Sequence, residues 1–356
     1  MPENASPGTI KKYFPHTECP WELFLDLGGV QIRVQTNSQV LRNELEEYFK
    51  DFLGGETRRM LRIQAVQAEE PDIPVKFSDK PQEPGKTKIK EEFADIGGCR
   101  IIRKKTTRLV FLIGEGINLA YGPCRENPNQ IINFINNRLI QVLLQKNMLL
   151  GHAAGIKYGN KGLALAGFSG KGKSTLALHL MSLGSIFISN DRLLLEKSPE
   201  TQRMYGVPKL PRINPGTALH NKDLKMVIPE FDRDKFSRLS ADELWHLEHK
   251  YDVYIDECFG PGKFELACSY SGLVLLNWDH ENTETRMEQI DINKRRDLLP
   301  AFMKHPGLFY FPKAGQSLNL DPESYVQALS NKPVFEIHGG IDFDKAAEKC
   351  LEFLKK

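Results

Sequence analysis

Three features of secreted and membrane-spanning proteins are missing from this sequence. No run of apolar residues approaches the roughly 18 that a membrane-spanning helix requires, so no membrane partner is expected. Residues 1–12 lack the apolar segment of a signal peptide, and a cytoplasmic location is therefore predicted. The six cysteines form no C-x-x-C pair and no Cys/His cluster of the kind that indicates a zinc site. They are expected to be reduced thiols.

The chain also lacks an excess of charge of either sign. Its 356 residues include 48 Lys and Arg against 46 Asp and Glu, which gives a net charge of +2. This balance does not favour nucleic acid as a partner. Hydrophobic residues make up 40% of the chain and charged residues 26%, a composition typical of a globular protein with a sizeable core.

One glycine-rich stretch fits the phosphate-loop pattern G-x-x-x-x-G-K-[ST] without a mismatch. Glycines permit a tight turn with positive φ, so that successive backbone N–H groups point inward at phosphate oxygens. Lys173 is expected to reach the β- and γ-phosphates of ATP, and the Ser174 hydroxyl is expected to bind Mg²⁺. The predicted cofactor-binding residues are Gly167, Phe168, Ser169, Gly170, Lys171, Gly172, Lys173, Ser174 and Thr175.

The residues around this motif have the order that a phosphate loop requires. Residues 162–166 are predicted to form a short buried strand, and Leu176, Leu180 and Leu183 recur at helical spacing after the loop. Residues 155–158 precede the loop strand across a Gly-Asn turn, which predicts an antiparallel hairpin. In ordinary doubly wound proteins the neighbouring strands are parallel. The hairpin therefore indicates a mixed sheet of a less common phosphate-loop class.

The N-terminal part of the chain predicts a separate small module. Residues 21–27 and 30–34 alternate in polarity around Gly28-Gly29, which predicts a hairpin, and a helix and a further strand follow. Residues 69–92 are rich in proline and charge, as linkers are, so a domain boundary is expected near residue 92. Residues 127–150 are then predicted to form one long core helix.

The order of these features resembles the HPr kinase/phosphatase family, and most nearly its bacterial HPr-kinase-related proteins. The features are His152, the hairpin, the phosphate loop, its helix, and a strand that ends in Asn190-Asp191-Arg192. More distantly, the arrangement is similar to the phosphoenolpyruvate carboxykinase fold. The resemblance covers residues 150–195 and extends more weakly from about residue 95 to the C-terminus.

This resemblance implies an α/β fold of two parts. A phosphate-loop kinase domain of the HPr kinase and phosphoenolpyruvate carboxykinase type, with a mixed sheet, would span residues 93–356. The small α+β module and its proline-rich linker would occupy residues 1–92. The implied reaction is transfer of the γ-phosphoryl group of ATP to a hydroxyl, in that family a serine of a small carrier protein. ATP and Mg²⁺ are thus the expected cofactors and a carrier-like protein the expected partner, with assembly as a homo-oligomer left open.

The resemblance also suggests which residues take part in catalysis. The acidic pair of the family aligns with Asn190-Asp191, and asparagine cannot accept a proton. Asp191 is expected to hold Mg²⁺ with Ser174, unless it is a turn or helix-cap aspartate. His152 is expected to contact phosphate or relay a proton, and its alternative role is structural. The predicted catalytic residues are Lys173, Asp191, His152 and Arg212.

The sequence leaves open the identity of the proton acceptor, the roles of two cations and the kind of reaction. Asp191, His152 and Asp256 are all candidates for the proton acceptor. Lys209 and Arg212, in a proline-rich loop, either neutralise the transferred phosphoryl group or grip an acidic substrate, and Arg212 is alternatively an ion-paired loop residue. The alternatives to a protein kinase are a kinase for a small hydroxylated metabolite, a nucleotide-binding regulatory module with little transfer, and an ATPase coupled to motion.

Overall fold

The structure is a computed structural model that describes residues 10, 12–81, 89–198, 200–240, 243–244, 247, 249–279, 283–312, 318 and 320–356. The chain divides into two compact units. The first unit comprises Met1–Leu143 and Pro306–Leu318, and the second comprises Leu144–His305 and Asn319–Lys356. None of the described helices is both long and apolar enough to cross a bilayer. None of the six cysteines, all of which are described, forms a disulfide bond.

The first unit is built on an eight-stranded mixed sheet. Its strands are β1 (Trp21–Leu27), β2 (Val30–Thr36), β3 (Leu61–Gln67), β4 (Ser78–Asp79), β5 (Glu91–Ile96), β6 (Cys99–Lys104), β7 (Val110–Gly114) and β8 (Ile117–Gly122). They lie in the order β1-β2-β3-β8-β7-β6-β5-β4. β3 is parallel to both β2 and β8, and the other pairs are antiparallel. The predicted hairpin of β1 and β2 is confirmed.

The helices of this unit are α1 (Gln39–Tyr48), the 3-10 helix Lys50–Phe52 and α2 (Pro128–Gln145). The prediction of a helix as far as residue 150 is wrong at its end. Asn147 adopts a positive φ of 64°, which ends the helical path, and residues 149–151 form a strand instead. The apolar residues at the end of the predicted helix belong to that strand.

The division between the units falls after residue 143 and not near residue 92. Residue 92 lies inside β5, whose partner is β6. The parallel pairing of β3 with β8 then joins residues from both sides of the predicted boundary in one sheet. The proline-rich stretch is thus a connection within a sheet, although its residues 82–88 lie outside the described part. Composition is local, whereas this pairing links residues 55 positions apart, such as Gln64 and Leu119.

The second unit is built on a nine-stranded mixed sheet and a two-stranded ribbon. Its strands are β9 (Leu149–Gly151), β10 (Ala153–Tyr158), β11 (Lys161–Gly167), β12 (Ile186–Ser189), β13 (Leu193–Leu195), β14 (Arg203–Gly206), β15 (Arg212–Ile213), β16 (Tyr251–Asp252), β17 (Ala267–Leu276), β18 (Arg286–Ile290) and β19 (Val334–His338). The main path is β12-β10-β11-β17-β14-β13-β9, and β19 pairs with β17 and β18. β15 and β16 form the ribbon.

Two pairings set the position of the glycine-rich loop. β10 and β11 form the predicted antiparallel hairpin, which confirms that part of the expectation. On its other side β11 is parallel to β17. This combination of antiparallel and parallel neighbours makes the fold of the unit mixed α/β with a mixed sheet.

Helices cover both faces of this sheet. They are α3 (Lys173–Ser182), α4 (Pro215–Leu219), α5 (Glu230–Phe236), α6 (Ile255–Phe259), α7 (Pro322–Leu329) and α8 (Phe343–Lys355), with 3-10 helices at Lys222–Val227 and Arg296–Ala301. Leu163 and Leu165 of β11 pack in the cluster that includes α3 and α8. Ala164 and Ala166 face the opposite cluster, which includes α7. β11 is apolar throughout because both of its faces are buried.

Candidate functional site

The glycine-rich loop joins the carboxyl end of β11 to the amino end of α3, as predicted. Gly167 is the last residue of β11, and Lys173 is the first of α3. Gly170 and Gly172 have φ values of 81° and 82°, in the left-handed region that favours glycine. A Cβ on Gly172 would also stand 2.5 Å from an atom of the Phe343 ring. The sequence places glycine where both the turn and the close contact require it.

The Lys173 side chain is folded back on this loop. Its Nζ donates to the carbonyl oxygens of Gly167 at 2.8 Å and Phe168 at 3.4 Å. The residue is only 9% exposed. Burial lowers the pKa of Lys173 to about 8, Lys304 lowers it further, and the charge of Asp191 opposes the change. Within the described residues both of its hydrogen-bond partners are neutral, which leaves its charge for a ligand.

Side-chain contacts hold the rest of the loop in place. Lys171 Nζ donates to the Trp278 carbonyl at 2.6 Å, and Trp278 Nε1 donates back to the Lys171 carbonyl at 3.0 Å. Thr175 Oγ1 lies 2.9 Å from Thr217 Oγ1. Lys171 therefore anchors the loop to the chain after β17, whereas Phe168 stays 43% exposed.

Ser174 faces the end of β12. Its Oγ donates to Asn190 Oδ1 at 2.6 Å. Hydroxyl and amide oxygens are ligands that Mg²⁺ accepts, usually together with one or two carboxylates and substrate phosphates. No group of three or more His, Cys, Asp and Glu side chains that could hold a metal ion occurs in the described part of the chain. The Ser174 hydroxyl and the Asn190 amide oxygen are donors that fit a Mg²⁺ whose remaining ligands come from phosphate and water.

Asp191, the next residue, lies close to three basic side chains. Its Oδ1 lies 3.0 Å from His152 Nε2, and its Oδ2 lies 3.1 Å from Lys304 Nζ and 3.9 Å from Arg192 Nε. Burial acts to raise the pKa of Asp191, but the hydrogen bond from His152 and the charge of Lys304 outweigh it. The pKa of this carboxyl is held well below its usual range, so Asp191 is ionised.

The direction of the hydrogen bond between Asp191 and His152 follows from the ionisation of Asp191. An ionised carboxylate only accepts hydrogen bonds, so His152 Nε2 must carry the proton and donate. By this hydrogen bond His152 orients the carboxylate. The carboxylate oxygens keep lone pairs that can accept a further proton. Asp191 is therefore the acceptor of this hydrogen bond, and His152 is its donor.

Lys304 is a residue of the candidate site that the sequence does not reveal. It lies 113 positions after Asp191 and belongs to no recognisable motif. A backbone bridge between Gly151 and Met303, and a hydrogen bond of 3.2 Å from Lys304 N to the Leu150 carbonyl, bring it beside β9. Pairing between distant segments positions this lysine, and no local pattern reports such pairing.

Arg212 lies in the β15–β16 ribbon, opposite Asp252. Its Nε is 3.2 Å from Asp252 Oδ1, and both side chains are about half exposed, at 55% and 53%. Asp256, the other acid considered as a base, lies in α6. Asp256 is not among the residues that line the cavity described next.

A single cavity of about 880 Å³ opens beside the loop. All four predicted catalytic residues line it: His152, Lys173, Asp191 and Arg212. Ser174, Asn190 and Lys209 line it as well. Loop, hydroxyl, carboxylate and cations therefore meet in one space that belongs to the second unit.

The comparisons with known proteins identify no family for this chain. No protein-family model and no curated protein matches the sequence. Among solved structures, the Hpr(Ser) kinase/phosphatase from Coxiella burnetii is similar over 57% of this chain and 93% of that chain, with 12% sequence identity and a TM-score of 0.29. A TM-score this low does not support an assignment of fold or activity. The functional conclusion therefore depends on the site itself.

Proposed function

We propose that this protein is an ATP- and Mg²⁺-dependent kinase that transfers the γ-phosphoryl group to a hydroxyl of a partner protein. The observation that supports this proposal is the meeting of Lys173, Ser174 and Asp191 in one cavity at the amino end of α3. Phosphoryl transfer depends mainly on positioning and on neutralisation of charge, and these groups supply both.

The nucleotide phosphates would bind at the glycine-rich loop. Backbone N–H groups at the start of a helix attract anions, and α3 begins at Lys173. The Lys173 ammonium would exchange its two carbonyl partners for phosphate oxygens. A cavity of about 880 Å³ is within the size range of small-molecule sites.

Ser174 and Asn190 would hold Mg²⁺, with Asp191 linked to it through water. The ion, when bound, neutralises part of the charge on the phosphates. Asn190 would therefore serve as a metal ligand, although it cannot act as a base.

The chemical step needs only a weak base. The acceptor oxygen forms a bond to the γ-phosphorus, the bond from that phosphorus to the β–γ bridging oxygen breaks, and ADP leaves. The hydroxyl proton passes to the Asp191 carboxylate, which His152 orients. A carboxylate of low pKa suffices because the transition state is loose and little proton transfer precedes it. Lys304 Nζ, 3.1 Å from Oδ2 of the same carboxylate, would help to hold it in place.

The surface around the cavity supports a protein as the acceptor. Gly216 and Thr217 of α4 line the cavity, and the 3-10 helix Lys222–Val227 packs beside α4. In this region Met226 is 56% exposed and Phe231 of α5 is 90% exposed. Methionine and aromatic residues are enriched at protein interfaces. Binding of a small metabolite in the cavity would not require such an exposed apolar surface.

The proposal is tested by incubating the protein with γ-labelled ATP, Mg²⁺ and a lysate of its own cell. Label on a protein band is expected. Label confined to a small soluble product would instead identify a metabolite kinase, and ATP binding without either product a regulatory module. Lys173→Ala should remove both nucleotide binding and label transfer. Lys197→Ala, which changes a partly buried lysine outside the cavity, should change neither. Failure of the wild-type protein to bind MgATP in a calorimeter would refute the proposal.

A further inference from the structure

The proline-rich loop that follows β14 is held tightly against the end of β12. A Cβ on Gly206 would stand 1.9 Å from the Ile188 carbonyl oxygen, so only glycine fits there. The next residue, Val207, donates its N–H to Ser189 Oγ at 3.1 Å. Ser189 is the last residue of β12 and directly precedes Asn190 and Asp191. Contacts on both strands thus fix the loop beside the candidate acceptor of the proton.

This loop brings two more cations to the cavity. Lys209 and Arg212 both line it. Within the described part of the chain, the Lys209 ammonium has neither a hydrogen bond nor an ion pair. Burial lowers the pKa of Lys209, and the charge of Arg192 lowers it further. Arg212 Nε lies 3.2 Å from Asp252 Oδ1, and the side chain is 55% exposed, so an anion in the cavity can reach it.

The two cavity lysines lie on different segments, since Lys173 begins α3 and Lys209 belongs to the loop between β14 and β15. Asp191 and Lys304 act on Lys173. Lys209 responds to the same two groups and also to Arg192 and Arg212. Asp191 is therefore the shared acid, with the glycine-rich loop near one lysine and the proline-rich loop near the other. With a triphosphate at the glycine-rich loop, Lys209 on the other loop would remain available to a second anion.

We infer that Lys209 and Arg212 form a second anion-binding subsite, which holds a phosphate or carboxylate group that the acceptor carries close to its reactive hydroxyl. This inference rests on the proposed function, because it assumes that the triphosphate occupies the glycine-rich loop. Bound in this way, the acceptor presents its hydroxyl to Asp191, the carboxylate common to both lysines. The acceptor is thus a hydroxyl next to a negative charge, such as a serine flanked by an acidic side chain.

The test fills the first site and probes the second. The full-length protein is saturated with Mg²⁺ and AMP-PNP, a triphosphate that is not transferred, and is then titrated with inorganic phosphate or acetate by calorimetry. At least one of the two anions should bind to the loaded wild-type protein. Lys209→Ala should weaken that binding at least about tenfold, since a charged hydrogen bond is lost. Lys209→Arg should retain it within about threefold, because the positive charge stays.

A matched control separates this site from a general effect of charge. Lys197 is also a lysine of lowered pKa, but it donates to Asn147 and lies outside the cavity. Lys197→Ala should bind both anions like the wild type. AMP-PNP affinity and melting temperature should be the same for all the variants, which shows that they fold and that the first site is intact. The stronger of the two probes reports whether the acceptor carries a phosphate or a carboxylate.

Two results would overturn the inference. One is the absence of binding of either anion to the loaded wild-type protein, and the other is equal binding by Lys209→Ala. Should the wild type not bind AMP-PNP, the proposed function fails, but the subsite can still be judged. Titration of nucleotide-free Lys173→Ala with phosphate then decides it, because that variant keeps Lys209 and has a disabled loop.

Discussion

The two units of this chain use charged side chains in different ways. In the first unit, acids on β5 lie directly opposite bases on β6. The register pairs Glu91 with Lys104, Glu92 with Arg103, and Asp95 with Arg100. Each pair forms a salt bridge. Opposite charges at facing positions of an antiparallel pair support its register, with a small gain per pair.

In the second unit, the charges meet at a cavity and do not balance. Asp191 lies near three basic side chains, while Lys173 and Lys209 lack carboxylate partners within the described residues. Burial of a charged group without a counter-ion is unfavourable, so such groups mark places where a ligand completes the charge balance. Incomplete charge pairing therefore distinguishes the candidate site from the first sheet, whereas the number of charged side chains does not.

The largest effect should follow from removing the charge on the shared acid. Asp191→Asn is expected to lower the rate of phosphoryl transfer by about 10²- to 10⁴-fold, the usual contribution of a positioned proton acceptor. ATP affinity should change much less, because Lys173 and the loop amides remain. Single-turnover transfer of label measures the first quantity, and calorimetry measures the second. A rate equal to that of the wild type would show that the charges around this cavity are structural, like those on β5 and β6.

Local signals explain why the centre of the site can be predicted from the sequence. The hairpin, the loop and α3 lie within residues 153–182, and glycine at positions 170 and 172 reports the backbone angles directly. Leu163 and Leu165 alternate with alanines that face the other layer, which predicts a buried strand. These features depend on the turn and helix-start preferences of residues that are neighbours in the sequence. Local patterns therefore predict them.

Features that depend on distant pairing cannot be predicted in this way. Lys304 reaches Asp191 through a bridge between residues 151 and 303. β8 pairs in parallel with β3, and β7, β6 and β5 follow it in the sheet. The composition of these segments does not predict that pairing. The ribbon that holds Arg212 opposite Asp252 pairs two-residue strands, which are too short to give a periodic pattern. Sequence patterns describe the residues of an element, and its partners depend on the whole fold.

The close contact behind the loop offers a test of the site through its backbone. Gly172→Ala is expected to lower the free energy of unfolding by about 1–3 kcal/mol, because a positive φ and a crowded Cβ both oppose it. Gly170→Ala is the matched variant, since its φ is 81° and a Cβ there meets no heavy atom within 4 Å. It should lose only about 1 kcal/mol. Urea denaturation measures both values. Equal losses would mean that the Phe343 ring moves aside freely and does not fix the loop.

The unbalanced charge on Lys173 should make nucleotide binding depend on pH. Burial sets the pKa of Lys173 at about 8 in the free protein. Bound phosphates favour the ammonium form and raise that pKa, so binding takes up a proton above pH 8 and almost none at pH 6.5. MgATP affinity should fall by up to about tenfold per pH unit above 8. Calorimetry in buffers of different ionisation enthalpy measures the uptake. Lys173→Arg should show no such uptake, because arginine stays charged. Equal proton uptake by the wild-type protein at pH 6.5 and above pH 8 would contradict the assignment of Lys173 as the phosphate-binding lysine.

The smallest effect is expected in the first unit, at a pair that is already balanced. Lys104→Gln removes one cation beside Glu91, but Lys80 remains 3.5 Å from that carboxylate. Burial acts to raise the pKa of Glu91, and the charges of Lys104 and Lys80 hold it below the ordinary value. The pair therefore stabilises the fold above the unfolded pKa of glutamate, and its contribution is lost as the pH falls through the folded pKa. At pH 7 the variant should lose at most about 1 kcal/mol by urea denaturation and keep wild-type MgATP affinity. A loss of several kcal/mol would show that balanced pairs of this sheet matter as much as the unpaired cations of the cavity.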